Sequence, residues 1–155
     1  MRAQTCCFTG HRNITDSFGI IKRKLKKTII GLIEKGVIFY GSGGALGFDT
    51  IAALAVLELK KTYPQIKLIM VLPCHEQEEK WSEKDKKTYH QVLQKADKVV
   101  YVSNQYHSGC MFARNRHLVD YSAFCIAYMT ENKGGTVYTA DYAKKNGLTV
   151  INIAV

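Results

Sequence analysis

The stretch IFYGSGGALGFDTIAALAV, Ile38 to Val56, decides how the rest of the chain is read. An apolar run ends at Tyr40, Gly41, Gly43, Gly44 and Gly47 follow in close succession, and Asp49 precedes apolar residues at helical spacing. Ordered glycine costs backbone entropy, so this cluster points to positive φ angles or to a close approach to the backbone. A tight turn, a packed helix–strand crossing and a bound phosphate each meet that description. In all three a strand passes through a glycine loop into a helix.

The same alternation extends in both directions. Short apolar runs predict strands near Thr5–Thr9, Val37–Tyr40, Lys67–Leu72, Lys98–Val102, Phe124–Met129 and Leu148–Ile153. Helical spacing predicts helices near Gly19–Lys35, Asp49–Lys61, Ser82–Lys95, Met111–Tyr121 and Thr136–Lys145. Gly36 and Gly147 stand where helices end in a left-handed residue. Strict β–α alternation implies an α/β fold: a doubly wound, mostly parallel sheet with helices on both faces. No repeat or linker divides the chain, so residues 1–155 are expected to form a single domain. The strand order expected first is 3-2-1-4-5-6, which places a ligand crevice between strands one and four.

Four loops would meet at that crevice: Thr9–Asn13 (TGHRN), Gly41–Gly47 (GSGGALG), Ser103–Asn115 (SNQYHSGCMFARN) and Thr130–Thr136 (TENKGGT). Two of them are glycine-rich and lead into helix N-termini, where backbone N–H groups and the helix dipole favour anions. Arg12, Arg114 and Asn115 add donors suited to phosphate. A phosphate-bearing ligand is therefore expected, held by Gly10, His11, Arg12, Gly41, Ser42, Gly43, Gly44, Ala45, Arg114, Asn115, Gly134, Gly135 and Thr136. Asp49 reads first as a helix cap and second as a partner for a ribose hydroxyl. His11 is a candidate for proton transfer or ribose binding, with a polar rim residue as the equal alternative. Trp81, the sole tryptophan, belongs to a buried stripe with Tyr89 and Leu93, or stacks on a base.

Composition limits the functional classes. The chain has 155 residues and a net charge of +9, with 46% hydrophobic and 23% charged residues, as in globular proteins. No apolar run reaches the length of a membrane span, and MRAQTCCFTGHR lacks a signal-peptide core. Five cysteines without a C-x-x-C pair suit a reducing cytoplasm. Cys6 and Cys7 are expected in the core. His11, Cys74, His75, His107 and Cys110 fall in loops after strands, but their spacing matches no zinc pattern, and no metal is expected. The run KRKLKK, Lys22–Lys27, alternates with apolar residues at helical spacing. It reads as a solvated helix face ahead of a DNA patch, so nucleic acid ranks behind a small nucleotide as partner. The sequence leaves the oligomeric state open, a homo-oligomer included.

Taken in order, TGHR, GSGGALGFD, Pro73-x-x-x-Gln77-x-x-x-Trp81, KADKVV, RNRHLVD and GGTVYTADYA resemble the YpsA-like family of the SLOG superfamily. That Rossmann-like group takes in the "lonely guy" phosphoribohydrolases and DNA-processing protein A. The resemblance implies a nucleotide or nucleotide-derived ligand at the glycine loops and no established reaction. Phosphoribohydrolases of the group carry P-G-G-x-G-T-x-x-E, whose Glu takes part in N-glycosidic cleavage. Here the matching place reads KGGTVYT, with no proline before the glycines and no Glu after them. Met111 and Arg114 match the M-x-x-R-K element, with Asn115 in place of lysine. A nucleotide-processing hydrolase and a single-stranded DNA binder are the alternatives to a nucleotide binder.

Overall fold

The first helix shows how the pattern becomes structure. Ile21, Leu25, Ile29, Leu32 and Ile33 form one buried stripe of α1 (Phe18–Glu34), with the lysines between them facing outward. The helix stops because Gly36 turns left-handed at φ 90°. Gly36 N–H then donates to Ile33 O and Val37 N–H to Leu32 O, both at 3.0 Å, which satisfies the last carbonyls. Gly147, at φ 84°, ends the last helix in the same way.

The computed structural model describes residues 2–154. Met1 and Val155, the outermost positions of the expected domain, lie outside the described residues. A short 3-10 turn at Arg2–Gln4 precedes β1 (Thr5–Gly10), and α1 leads to β2 (Phe39–Ser42). There follow α2 (Phe48–Lys60), β3 (Lys67–Leu72), α3 (Glu83–Lys95), β4 (Lys98–Tyr101), α4 (Cys110–Asp120), β5 (Phe124–Tyr128), α5 (Gly135–Lys145) and β6 (Thr149–Asn152). Every paired strand is parallel, in the order β4-β3-β2-β1-β5-β6.

This is the doubly wound α/β architecture, but the strand order differs from the expected one. β4 does not lie beside β1; it pairs with β3 at the sheet edge, and β5 takes the place next to β1. Burial explains the exchange. Cys125, Ile126, Ala127 and Tyr128 of β5 are fully buried, as a central strand requires, whereas both ends of β4, Lys98 and Tyr101, are exposed. Right-handed crossovers then place α1, α2 and α3 on one face and α4 and α5 on the other. The two apolar clusters follow this division. One holds Ile21, Leu25, Phe48, Val56, Leu68, Met70 and Tyr89, and the other Cys7, Val71, Leu118, Val119, Cys125 and Ala143. Cys6 and Cys7 are buried core residues, as expected. The winding reverses between β1 and β5, and α4 carries the chain back from the far edge to that point.

Candidate functional site

A cleft of about 510 Å³ lies beyond the carboxyl ends of β1 and β5. Its walls come from the loop after β1 (Gly10, His11, Arg12, Asn13), the start of α2 (Ala45, Asp49), the first turns of α4 (Met111, Phe112, Arg114, Asn115) and the start of α5 (Gly135, Thr136). Thr130 and Glu131 close it from the loop after β5. Three of the four expected loops meet here directly. The fourth, after β4, begins at the sheet edge and reaches the cleft only through α4, so its contribution is helical.

Beneath the cleft is an aromatic floor that sequence reasoning did not identify. Phe8 lines the cleft and stands against Phe48, which stacks on Tyr128 with ring centroids 5.8 Å apart. The Tyr128 hydroxyl accepts from the backbone N–H groups of Thr15 and Asp16, each at 3.2 Å, and donates to the Asp16 carboxylate at 3.1 Å. A strand-end tyrosine thus fixes the return path of the loop after β1. Nothing in the sequence distinguishes it from eight other tyrosines.

His11 ties two loops together. Its Nε2 accepts from the Thr130 N–H at 3.0 Å, its backbone N–H donates to Tyr128 O at 3.3 Å, and its ring meets Tyr128 edge-on. With Nε2 accepting, the neutral ring carries its proton on Nδ1. His11 thus stands at the cleft wall with Nε2 already engaged.

The glycines after β2 serve a different purpose from the one expected. A Cβ on Gly43 would stand 2.5 Å from Arg114 Nη1 and 2.8 Å from its Cδ. One on Gly44, where φ is +73°, would meet Leu72 Cδ2 at 2.9 Å and Tyr89 Cε1 at 3.1 Å. Gly41 lies under Leu118, and Gly47 (φ +83°) lies against the backbone of Arg12. Of these four glycines and Ser42, none lines the cleft; they let helices and loops approach one another closely. The backbone N–H groups expected to cradle phosphate are engaged internally as well. Gly44 N–H donates to Ser42 Oγ and Ala45 N–H to Asp49 Oδ2, each at 3.3 Å. Of the predicted Ser42–Ala45 cradle, only Ala45 borders the cleft.

Arg114 is likewise placed differently from its expected role. It is 6% exposed, and its Nη1 donates to Gly43 O at 2.7 Å while Nε donates to Asn115 Oδ1 at 2.6 Å. The guanidinium is a buried strut that holds the β2 loop to α4 and forms part of the cleft wall. Arg12, by contrast, is exposed at the mouth. Asp49 is not the helix cap: Gly47 holds that position, and Asp49 lies in the first turn, 7% exposed. Burial raises its carboxyl above the usual range, against the opposing pull of Arg114, the Ala45 N–H and Arg12.

The glycines of the loop after β5 differ from those after β2 in facing open space. A Cβ at Gly134 or Gly135 meets nothing within 4 Å, and Gly135 and Thr136 face the cleft from the first turn of α5. Gly134 lies just outside it, in a neighbouring hollow. Trp81 does not border the cleft. It packs edge-on against Tyr89 at 5.2 Å, beside the core under α3, so stacking on a base in the cleft is closed to it.

Among the described residues no group of three or more His, Cys, Asp or Glu side chains is placed to hold a metal ion. Cys74 is buried and His75 stacks on Tyr101 with centroids 3.7 Å apart. No helix among the described residues is long and apolar enough to cross a membrane.

Comparison with known proteins agrees with this geometry at the level of fold. Two solved structures of DNA processing protein A superpose on 96% of the chain. The Streptococcus pneumoniae protein does so with a TM-score of 0.68 at 21% identity, and the Helicobacter pylori protein with 0.67 at 22%. The chain spans 49% of the first and 64% of the second; the second structure describes a single-stranded DNA binding mode of that protein. Among curated relatives, a UPF0398 protein of Halalkalibacterium halodurans is 36% identical over 139 residues, 88% of this chain and 71% of its own. The UPF0398 protein YpsA of Bacillus subtilis is 30% identical over 81% of this chain and 71% of its own. The prophage-derived YoqJ of the same organism is 32% identical over 81% and 83%. Residues 6–152 match the profile of the YspA SLOG family, and with these relatives that match makes the chain a member of that family.

Proposed function

We propose that the chain binds a nucleotide or nucleotide-derived ligand in the cleft between β1 and β5, with phosphate at the first turn of α5. One observation carries this reading. The start of α5 opens into the cleft with no side chain in the way at Gly135, and the exposed Arg12 lines the same cleft with Asn13 and Asn115. The first N–H groups of a helix lack intrahelical acceptors and lie at the positive end of its dipole, which favours a phosphate there. Met111, Phe112 and the threonines of the wall give the nucleoside both apolar and hydrogen-bonding surface. Asp49, buried beside Ala45, suits a ribose hydroxyl better than an anion.

Binding, not hydrolysis, is the function proposed. No Glu follows Gly135–Thr136, and the carboxylates that border the cleft are Asp49, held by the Ala45 N–H, and the exposed Glu131.

The test is calorimetric titration with purine and pyrimidine nucleoside monophosphates. Gly135→Val adds a side chain facing open space, so the thermal transition is kept while the phosphate position is obstructed. Arg12→Ala removes an exposed charge; a charged hydrogen bond is worth about 1.5–3 kcal/mol, roughly ten- to 150-fold in affinity. Wild-type protein that binds no monophosphate, or a Gly135→Val variant that binds as wild type does, rules the reading out.

A further inference from the structure

Beside the cleft, on the other flank of α5's first turn, lies a second hollow of about 580 Å³. Its lining is limited to Gly109, Phe112, Arg116, Gly134, Gly135 and Tyr138. Phe112 and Tyr138 are 43% and 46% exposed and meet edge to face, with centroids 5.2 Å apart and planes at 78°. Large aromatic side chains at this exposure leave ring surface bare to water, which a covering ligand would relieve. Arg116 follows Phe112 by one helical turn on α4, on the same side of the helix. The three glycines have open space where their side chains would be, so bare backbone borders the rings.

We propose that this hollow is a second base subsite, so that the ligand of the protein is two nucleoside units joined through phosphate. The inference rests on the cleft's binding a nucleotide. Phe112 and Gly135 border both cavities, which makes the hollow the neighbour of the cleft across the start of α5. A phosphate held at that helix start has one nucleoside in the cleft and the next over Phe112 and Tyr138. The chemistry of the lining selects this occupant. The face of one ring, with the other edge-on to it, and a planar guanidinium offer stacking surface to any base, and glycine backbone leaves room for its edge. Arg116 lines the hollow and no carboxylate does, so its charge favours a phosphate-linked unit over a cationic side chain.

The experiment compares adenosine monophosphate with its 5′-phosphorylated dinucleotide, pApA, on wild type, Tyr138→Ala and Arg116→Ala. Neither substituted residue borders the cleft, and both are exposed, so the variants keep the wild-type thermal transition. A stacked base contributes about 1–3 kcal/mol, so pApA is expected to bind roughly five- to 150-fold tighter than the monophosphate. Tyr138→Ala should remove most of that advantage while leaving monophosphate affinity unchanged. A ten-residue deoxyadenylate distinguishes the source of the bases: affinity like that of pApA indicates a free dinucleotide, and affinity more than tenfold tighter indicates a strand. Monophosphate binding with no gain for pApA, or a gain that survives Tyr138→Ala, overturns the second subsite alone. Failure of both ligands to bind overturns the cleft reading, and this inference with it.

Discussion

At the scale of single residues, what matters is what each glycine would touch, not that it is a glycine. Gly10 and Gly47 are the least replaceable. A Cβ on Gly10 would sit 2.4–2.5 Å from three atoms of buried Phe48, and one on Gly47 would sit 2.2 Å from Arg12 O at a φ of +83°. Neither clash is with the free end of a flexible side chain. Gly10→Ala is expected to lower stability by about 1–3 kcal/mol, the usual range for overpacking a core. Gly135→Ala, facing open space, should change it little. Thermal melts of the two variants side by side check this, and equal melting temperatures would contradict it. Asp49 gives a second prediction at this scale. Its carboxyl is raised in the folded state by burial, so the unfolded chain ionises first as pH rises. Folding stability from this group is therefore greatest below the unfolded carboxylate value, about 3.9, and declines as pH rises through the higher folded value. Asp49→Asn keeps an oxygen acceptor for the Ala45 N–H without the charge. It should melt higher than wild type at neutral pH, with the gap closing on acidification. A gap that is independent of pH would show that ionisation of Asp49 plays no part.

At the scale of elements, α4 joins the two halves of the sheet. Leu118 packs into the space left by Gly41 of β2, and Arg114 reaches the Gly43 carbonyl from the same helix. The Gln77 side chain also donates to that carbonyl, at 3.2 Å, so the β2 loop is held from both faces of the sheet. Arg114→Ala should destabilise the protein by about 1.5–3 kcal/mol, the range for hydrogen bonds to charged groups. Arg114→Lys should recover only part of this, since an ammonium cannot donate to Gly43 and Asn115 in the fork geometry of a guanidinium. Denaturant melts of both variants decide it, and a lysine variant as stable as wild type would sink the strut. Helices and strands themselves were legible from apolar spacing, with boundaries displaced by at most two residues. The Gly36 and Gly147 endings were legible too, because a helix stop of this kind is local. The role of Arg114 was not, because its partner at Gly43 is 71 residues away along the chain. An arginine beside a glycine loop looks the same whether it grips phosphate or its own backbone.

At the scale of the whole molecule, the class of fold was readable and the order of strands was misread, although a signal was there. KVVYV carries a lysine, which suits an edge, whereas FCIAYM carries no charge and suits the centre. Alternation of strands and helices restricts a chain to the doubly wound class, but it does not say where winding reverses. That choice depends on which strand can tolerate water. The expected crevice between strands one and four is replaced by one at β1 and β5, to which α4 still brings Met111, Arg114 and Asn115. The net charge of +9 is also a property of this scale, and it suits an anionic partner, small ligand or nucleic acid alike. Lys22 and Lys26 of α1 both pair with Glu58 of α2, and Lys60 pairs with Asp97, so part of the basic surface is compensated within the fold. Exposed pairs of this kind are individually weak, but they reduce the field available to a polyanion. Single-stranded DNA longer than the two subsites should therefore bind no more tightly than a dinucleotide, and any affinity added by its length should largely disappear near physiological salt. Replacing Lys22, Arg23, Lys26 and Lys27 together by glutamine should leave nucleotide affinity unchanged, since none of the four borders the cleft. Fluorescence anisotropy of a labelled strand across a salt series measures this directly. Tight binding at physiological salt that falls on the fourfold replacement would make α1 a DNA-binding face, and would put nucleic acid ahead of a small nucleotide.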